Sequence, residues 1–208
     1  MRLFILGATG KTGTALVNQG LARGHEVTTF GRSAFSVKSS KSPRVLLGDP
    51  MDAIALAAEL PGHDAVLSAL GARGLGATSV LVEGASATIE AMLATDVRRL
   101  LIVSSTLFDA KSGWLTRLMG RTLLRNVVAD QRAMEEQVTR SNLDWTILRA
   151  ARLTTGALTG RYTVEKQSDR GEFPARPMSR EDLACMMLDE AERGNYIKQV
   201  VRVCGGGS

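Results

Sequence analysis

The sequence predicts a single α/β domain built on a doubly wound, mainly parallel sheet with helices on both faces. Three observations carry that expectation. Apolar runs of strand length alternate with amphipathic stretches of helical length. The first strand runs into a glycine-rich turn, Gly7-Ala8-Thr9-Gly10-Lys11-Thr12-Gly13, that opens a helix. The 208 residues suffice for one sizeable core but are short for two domains. Parallel neighbours need right-handed crossovers, and these send helices to both faces of the sheet.

In order along the chain, strands are expected near 2–6, 26–31, 44–48, 64–69, 99–104, 144–149 and 199–203. Helical patterns fall near 11–23, 53–59, 78–95, 127–141 and 180–193. Pro61-Gly62, the loop Ser36–Pro43 and the segment Gly71–Gly76 punctuate the alternation. Trp145 is placed in the core of the sixth strand. The domain is expected to span 1–204, with Gly205-Gly206-Gly207-Ser208 read as a flexible or engineered tail.

Only 4% of the residues are aromatic, so the core must rest on Leu, Val, Ile, Ala and Met. No apolar run is long enough to span a membrane, and none has signal-peptide character. Cys185 and Cys204 have no metal-ligand spacing, so they read as reduced thiols in a cytoplasmic protein with no metal site. The net charge of +5 suits either nucleic acid or a phosphate-rich ligand. Nucleic acid is disfavoured: there is no recognition-helix motif and no aromatic stacking platform, and Arg117, Arg121 and Arg125 read as a helical stripe that faces solvent or another subunit. His25, at the start of the second strand, and His63, after Pro61-Gly62, read as exposed turn residues.

In the turn after the first strand, glycines allow a tight bend and let the backbone approach a pyrophosphate, while the free N–H groups of the helix N-terminus face the negative charge. Gly7, Thr9, Gly10, Lys11, Thr12 and Gly13 are therefore candidate dinucleotide contacts. Gly10-Lys11-Thr12 imitates the end of a P-loop, but that motif needs a glycine where Ile5 stands. The second strand ends Phe30-Gly31-Arg32-Ser33, without the acid that bonds the ribose hydroxyls in an NAD site. Arg32 and Ser33 suit a 2′-phosphate instead, with Lys38, Lys41 and Arg44 adding charge nearby, so NADP(H) is expected over NAD(H). Asp49 ends the third strand, where it would either reach the adenine or cap the next helix. Leu70 and Gly71 end the fourth, where the chain passes close to the ligand.

Gly7–Gly13, Phe30-Gly31-Arg32-Ser33, Gly48-Asp49-Pro50, Leu70-Gly71-Ala72, Val103-Ser104-Ser105-Thr106 and Ser141–Arg149 occur in this order. In these residues the chain resembles an atypical short-chain dehydrogenase/reductase of the NAD(P)H-binding, NmrA-like group. Within that group, Leu158-Thr159-Gly160-Arg161-Tyr162-Thr163-Val164 is most similar to the biliverdin reductase B (flavin reductase) type. The resemblance implies a Rossmann-like fold that binds NADPH, with a shallow substrate site above the nicotinamide. It carries cofactor contacts onto Thr9, Lys11, Thr12, Arg32, Asp49, Leu70, Gly71, Ser104, Ser105 and Thr106.

Many short-chain dehydrogenases place a Tyr and a Lys four residues apart on the helix after the fifth strand. Neither Tyr162 nor Tyr196 has a Lys four positions on, and the helix in question reads Asp130-Gln131-Arg132-Ala133-Met134-Glu135-Glu136. Oxidation of a simple alcohol by that route is not expected. Hydride transfer to a flavin, quinone or tetrapyrrole asks less of the protein, which orients the rings and excludes water. Ser105 and Thr106 are candidates to meet the nicotinamide or the substrate. Where the resemblance expects a Pro-Pro-His-like segment the chain has Ala150-Ala151-Arg152, and Arg152 is a candidate for an anionic substrate group. The expectation is an NADPH-dependent reductase with a small-molecule substrate. The alternatives are a non-catalytic NADP(H) sensor acting through a protein partner and, less favoured, a nucleotide-sugar epimerase or dehydratase.

Overall fold

The computed structural model describes residues 1–35, 42–71, 79–106, 125–167 and 173–207. Lys38, Lys41, Arg117 and Arg121 lie outside the described residues. Among the described residues the order is β1 (Arg2–Leu6), α1 (Lys11–Ala22), β2 (Glu26–Gly31), β3 (Arg44–Leu47), α2 (Ala53–Glu59), β4 (Ala65–Ser68), α3 (Val80–Leu93), β5 (Arg99–Ser105), α4 (Arg125–Arg140), β6 (Asp144–Ala150), β7 (Leu153–Thr154), β8 (Tyr162–Lys166), β9 (Met178–Ser179), α5 (Arg180–Arg193) and β10 (Gln199–Gly205).

The main sheet has the order β3-β2-β1-β4-β5-β6-β10-β8. Every pair in it is parallel except β10 with β8. This is a Rossmann-like, doubly wound sheet whose order reverses between β1 and β4, the crevice where such sheets bind ligands. The expected parallel strands are all present. The segment after β6 adds three that the pattern did not predict: β8, antiparallel on the edge, and the short parallel pair β7 and β9.

Strand β1 shows why the fold takes two layers of helix. Leu3 and Ile5 point into a core with α1 and α5, while Phe4 and Leu6 point into a second core with α2, α3 and α4; all four are fully buried. A central parallel strand is covered on both faces, so its sequence is a continuous apolar run. Trp145 sits in the second core at 7% exposure, as expected.

Buried ion pairs fasten helix to sheet. Arg99 on β5 pairs with Glu190 on α5, whose carboxylate also accepts from Thr146 Oγ1 on β6 and from the N–H groups of Asn195 and Tyr196 beyond the helix. Arg149 on β6 makes a two-pronged pair with Glu135 on α4, at 2.6 and 3.1 Å. Each carboxylate is satisfied by several donors, which offsets the cost of burying charge.

The two histidines correct the sequence reading. Both are half-buried, and their rings are engaged: His25 with Glu192 at 2.8 Å, His63 with Leu60 O and Thr28 Oγ1 at 2.9 Å each. They sit at the end of the sheet opposite the glycine turn. The expected domain end at 204 falls one residue inside β10, and the glycines beyond are tied in: Gly205 N–H donates to Arg176 O and Gly206 N–H to Arg161 O.

Glu190→Ala strands the buried Arg99 guanidinium and two backbone N–H groups. The expected loss is about 3–5 kcal/mol of unfolding free energy in chemical denaturation.

Candidate functional site

The site starts at Gly7. Its φ is +77°, and a Cβ there would lie 2.5 Å from Ala69 O, so the left-handed turn and the close pass to the end of β4 both demand glycine. At Gly13, in the first turn of α1, a Cβ would lie 2.1 Å from Gly7 O, so the helix can press onto the turn only without a side chain. Gly10 N–H donates to Gly7 O at 3.0 Å, and Thr14 closes the other side through its N–H to Gly10 O and its hydroxyl to Ala8 O.

Gly10 is the N-cap of α1 but offers no side-chain oxygen, and the first turn carries no acidic residue. The leading N–H groups of α1 are therefore left for an anion. A cradle that a Cβ would fill, together with a helix start lacking its usual cap, fits a dinucleotide pyrophosphate. Thr9, Gly10 and Lys11 are exposed around this opening, and Thr12 is half-buried.

A groove leads from the turn across the end of β2. Gly7, Thr9, Arg32, Ser33, Pro50 and Leu70 line it, together with Phe35 and the end of β2 itself. Arg32 and Ser33 are exposed just beyond β2, and Arg32 has no ion-pair partner among the described residues. Phe35, an apolar wall of this groove, escaped the sequence reading; Pro50, named there only within Gly48-Asp49-Pro50, is another. Leu70 packs over Gly84 of α3, and Gly71 is exposed beside it.

Asp49 is exposed, and its carboxylate accepts from Met51 N–H at 3.1 Å. The cap of α2 is Asp52, which accepts from Ile54 and Ala55 N–H, so the capping role considered for Asp49 belongs three residues on. An Asp two positions after a turn proline is the ordinary signal for that cap.

At the far side of the switch point, β5 ends in Ser104, Ser105 and Thr106. Ser104 is buried, and its hydroxyl has no protein partner among the described residues. Ser105 donates to Gln131 Oε1 on α4 at 2.9 Å. Gln131 was not singled out from sequence; a lone glutamine on an amphipathic helix gives no signal. Its neighbours are committed to the fold: Asp130 accepts from Leu81 and Val82 N–H at the start of α3, and Glu135 holds Arg149.

Arg152 is exposed directly after β6, without an ion-pair partner among the described residues, and its carbonyl accepts from Met178 N–H. Tyr162 points away from this end of β5: its hydroxyl donates to Asp189 on α5. Burial and the neighbouring Asp189 carboxylate push its pKa up, so it stays protonated.

The segment 158–164 owes its shape to Asp182, another residue that escaped the sequence reading. This buried carboxylate accepts from Thr159 N–H at 2.7 Å, Gly160 N–H at 2.9 Å, Ser179 Oγ at 2.8 Å and the Thr159 hydroxyl. Burial alone would raise its pKa; the N–H of Thr159, the Ser179 hydroxyl and the remaining donors outweigh that and hold it below the usual carboxylate range.

A depressed carboxylate stabilises the folded state above its unfolded pKa, and that contribution is lost as pH falls through the folded value. Asp182→Asn is therefore expected to cost about 2–4 kcal/mol at neutral pH. The gap to the wild-type protein should narrow below about pH 4 in denaturation curves recorded across the acid range.

Comparison with known proteins agrees with the geometry. The NAD(P)H-binding family profile matches residues 7–193. YwnB of Bacillus subtilis is 30% identical over 210 residues, covering 94% of both chains. Among solved structures, the oxidoreductase ylbE of Lactococcus lactis superposes with a TM-score of 0.85 at 20% identity, covering 100% of this chain and 92% of that one. A short-chain dehydrogenase/reductase of Veillonella parvula in complex with NADP gives 0.82 at 18% identity, covering 99% and 95%. ChuY, an anaerobillin reductase of Escherichia coli O157:H7, gives 0.78 at 21% identity, covering 99% and 97%. With its Rossmann-like fold, its glycine cradle, its switch-point groove and a profile match over nearly the whole chain, this protein belongs to the NAD(P)H-binding family.

Proposed function

We propose that the protein is a cytoplasmic NADPH-dependent reductase of flavin or biliverdin reductase type, acting on a small conjugated ring such as a flavin, quinone or tetrapyrrole. The observation that carries the reading is the uncapped start of α1 behind Gly7, opening onto a groove that ends at Arg32 and Ser33. The N–H groups of Lys11, Thr12 and Gly13 take the pyrophosphate, and Arg32 and Ser33 take a 2′-phosphate. Leu70 lines the groove and Gly71 follows it, and Asp49, next to the groove-lining Pro50, serves the adenine. Ser104, Ser105 and Thr106 serve the nicotinamide end, and Arg152 receives an anionic group of the acceptor.

When bound, NADPH supplies the hydride. The protein's residues orient the two rings and keep water from between them. An extended conjugated acceptor spreads the negative charge it gains, so the proton can come from solvent and no tyrosine acid is required. The similarity to an anaerobillin reductase supports an acceptor of this kind.

The sensor reading draws on α4, whose Asp130 and Glu135 are spent on packing at the positions around a Tyr–Lys pair. A fluorescence titration with NADPH and NADH, followed by addition of FMN and a record of the nicotinamide absorbance, separates the two. Binding with flavin-dependent loss of that absorbance is the result expected of the reductase; binding without turnover moves the reading to the sensor; no binding overturns both.

Arg32→Ala should weaken NADPH by roughly tenfold to a hundredfold and leave NADH nearly unchanged, as the loss of a charged hydrogen bond predicts. Equal losses would sink the 2′-phosphate assignment. Gly10 has an ordinary φ of −76°, and a Cβ there meets only Gly7 O at 3.2 Å, so Gly10→Val should fold. It should nevertheless lose both dinucleotides, because the isopropyl group stands in front of the helix N-terminus.

A further inference from the structure

A second opening, separate from the dinucleotide groove, lies at the carboxyl end of β10. This open cavity of about 640 Å³ has Thr159, Arg161, Pro177, Met178, Asp182 and Gly206 among its lining residues. Strand β10 runs parallel to β6 and ends beside it, so the cavity opens at the same end of the sheet as the tip of β5. It adjoins Arg152, whose carbonyl accepts from Met178 N–H at 3.1 Å.

The backbone delivers two arginines to this cavity. Arg161 lines it, with its main chain held on both sides: its N–H donates to Thr159 Oγ1 at 3.1 Å, and its carbonyl accepts from Gly206 N–H at 3.0 Å. Thr159 is in turn held by the buried Asp182. Arg176 reaches the rim, since a Cβ on the lining residue Gly207 would lie 3.3 Å from its Nη1. Its carbonyl accepts from Gly205 N–H, and the residue before it, Ala175, has a φ of +46°. Alanine takes that left-handed conformation at a cost, and it persists only where the surroundings impose it. The glycines press in closely: a Cβ on Gly205 would lie 2.5 Å from Pro177 O, and one on Gly206 3.1 Å from Arg161 Cβ. Arg161 and Arg176 are exposed, and neither guanidinium has an ion-pair or hydrogen-bond partner among the described residues. Asp182, the acid in the lining, is taken up by Thr159, Gly160 and Ser179.

We propose that this cavity is an anion subsite in which Arg161 and Arg176 hold a carboxylate or phosphate arm of the hydride acceptor. Planar guanidinium forks suit both groups. The acceptor's ring then lies toward the tip of β5 and its charged arm toward the end of β10. The inference rests on the reductase reading above and narrows its acceptor to conjugated rings with an anionic arm, against uncharged quinones.

The test is calorimetric titration of the whole protein saturated with NADP⁺, which has no hydride to give. Two matched pairs serve as probes: FMN with riboflavin, and biliverdin with its dimethyl ester. Each pair keeps the ring and differs in the anionic arm, a phosphate in the first and carboxylates in the second. The wild-type protein should bind the charged member of one pair tighter by roughly tenfold or more, as charged hydrogen bonds predict, and the responding pair tells phosphate from carboxylate. Arg161→Gln and Arg176→Gln should each cut that preference by roughly threefold or more, and the double variant should bring it to about one. NADP⁺ affinity, unchanged in the variants, separates a lost subsite from a lost fold. Equal affinity for charged and uncharged members in the wild-type protein, or an undiminished preference in the double variant, overturns the proposal and leaves the reductase reading standing. An NADP⁺ complex that binds none of the four probes overturns both. If the double variant fails to fold, the two single variants decide.

Discussion

There is no room for a side chain at Gly7, and the functional end of the molecule follows from that. The turn must take positive φ and pass within contact of the Ala69 backbone, and α1 must begin against the turn itself at Gly13. These two close approaches direct the start of α1 at the crevice between β1 and β4, where the strand order reverses. They also set α1 against α5 over one face of the sheet. An anion-binding helix start, the position of the groove and the packing of a whole layer thus share one steric cause.

The parts of the fold legible in sequence were those whose cause is local. Central parallel strands are buried on both faces and read as apolar runs, so β1, β4 and β5 stand out. The glycine turn is legible because three glycines at a strand–helix junction cost chain entropy that only a tight bend and a close backbone approach offset. Strand β8 was not legible. Tyr162-Thr163-Val164-Glu165-Lys166 is half-buried throughout except at its end, and it gains strand structure only by pairing with β10 nearly forty residues on. With two residues each, β7 and β9 are too short to leave a pattern. Gln131 belongs to the same class of loss, its partner lying 26 residues away; Asp182 has a local partner in the N-cap Ser179 three residues before it, but its hold on Thr159 and Gly160, 22 to 23 residues away, leaves no local mark.

Acidic side chains do an unexpected share of the structural work in a chain of net charge +5. Asp130, Glu135, Asp182 and Glu190 are all buried, and each answers several donors at once: a helix start, a guanidinium, a loop, a turn. Sequence patterning assigns such residues to solvent. Here they hold three helices to their neighbours, and the basic excess is left on the surface, where Arg32 and Arg152 flank the groove and the end of β6.

Gln131 and Glu135 stand four residues apart on the helix after β5, with Gln131 facing the serine at the strand's tip. That is the spacing at which many short-chain dehydrogenases carry their tyrosine and lysine. A lysine at 135 would remove the carboxylate that pairs with the Arg149 guanidinium, now 2.6 Å from it, and set two cations against each other where the side chains are only 11% and 8% exposed. Installing a lysine there would therefore require the β6–α4 seam to be rebuilt. The seam between β6 and α4 thus limits which residue can stand four positions after Gln131.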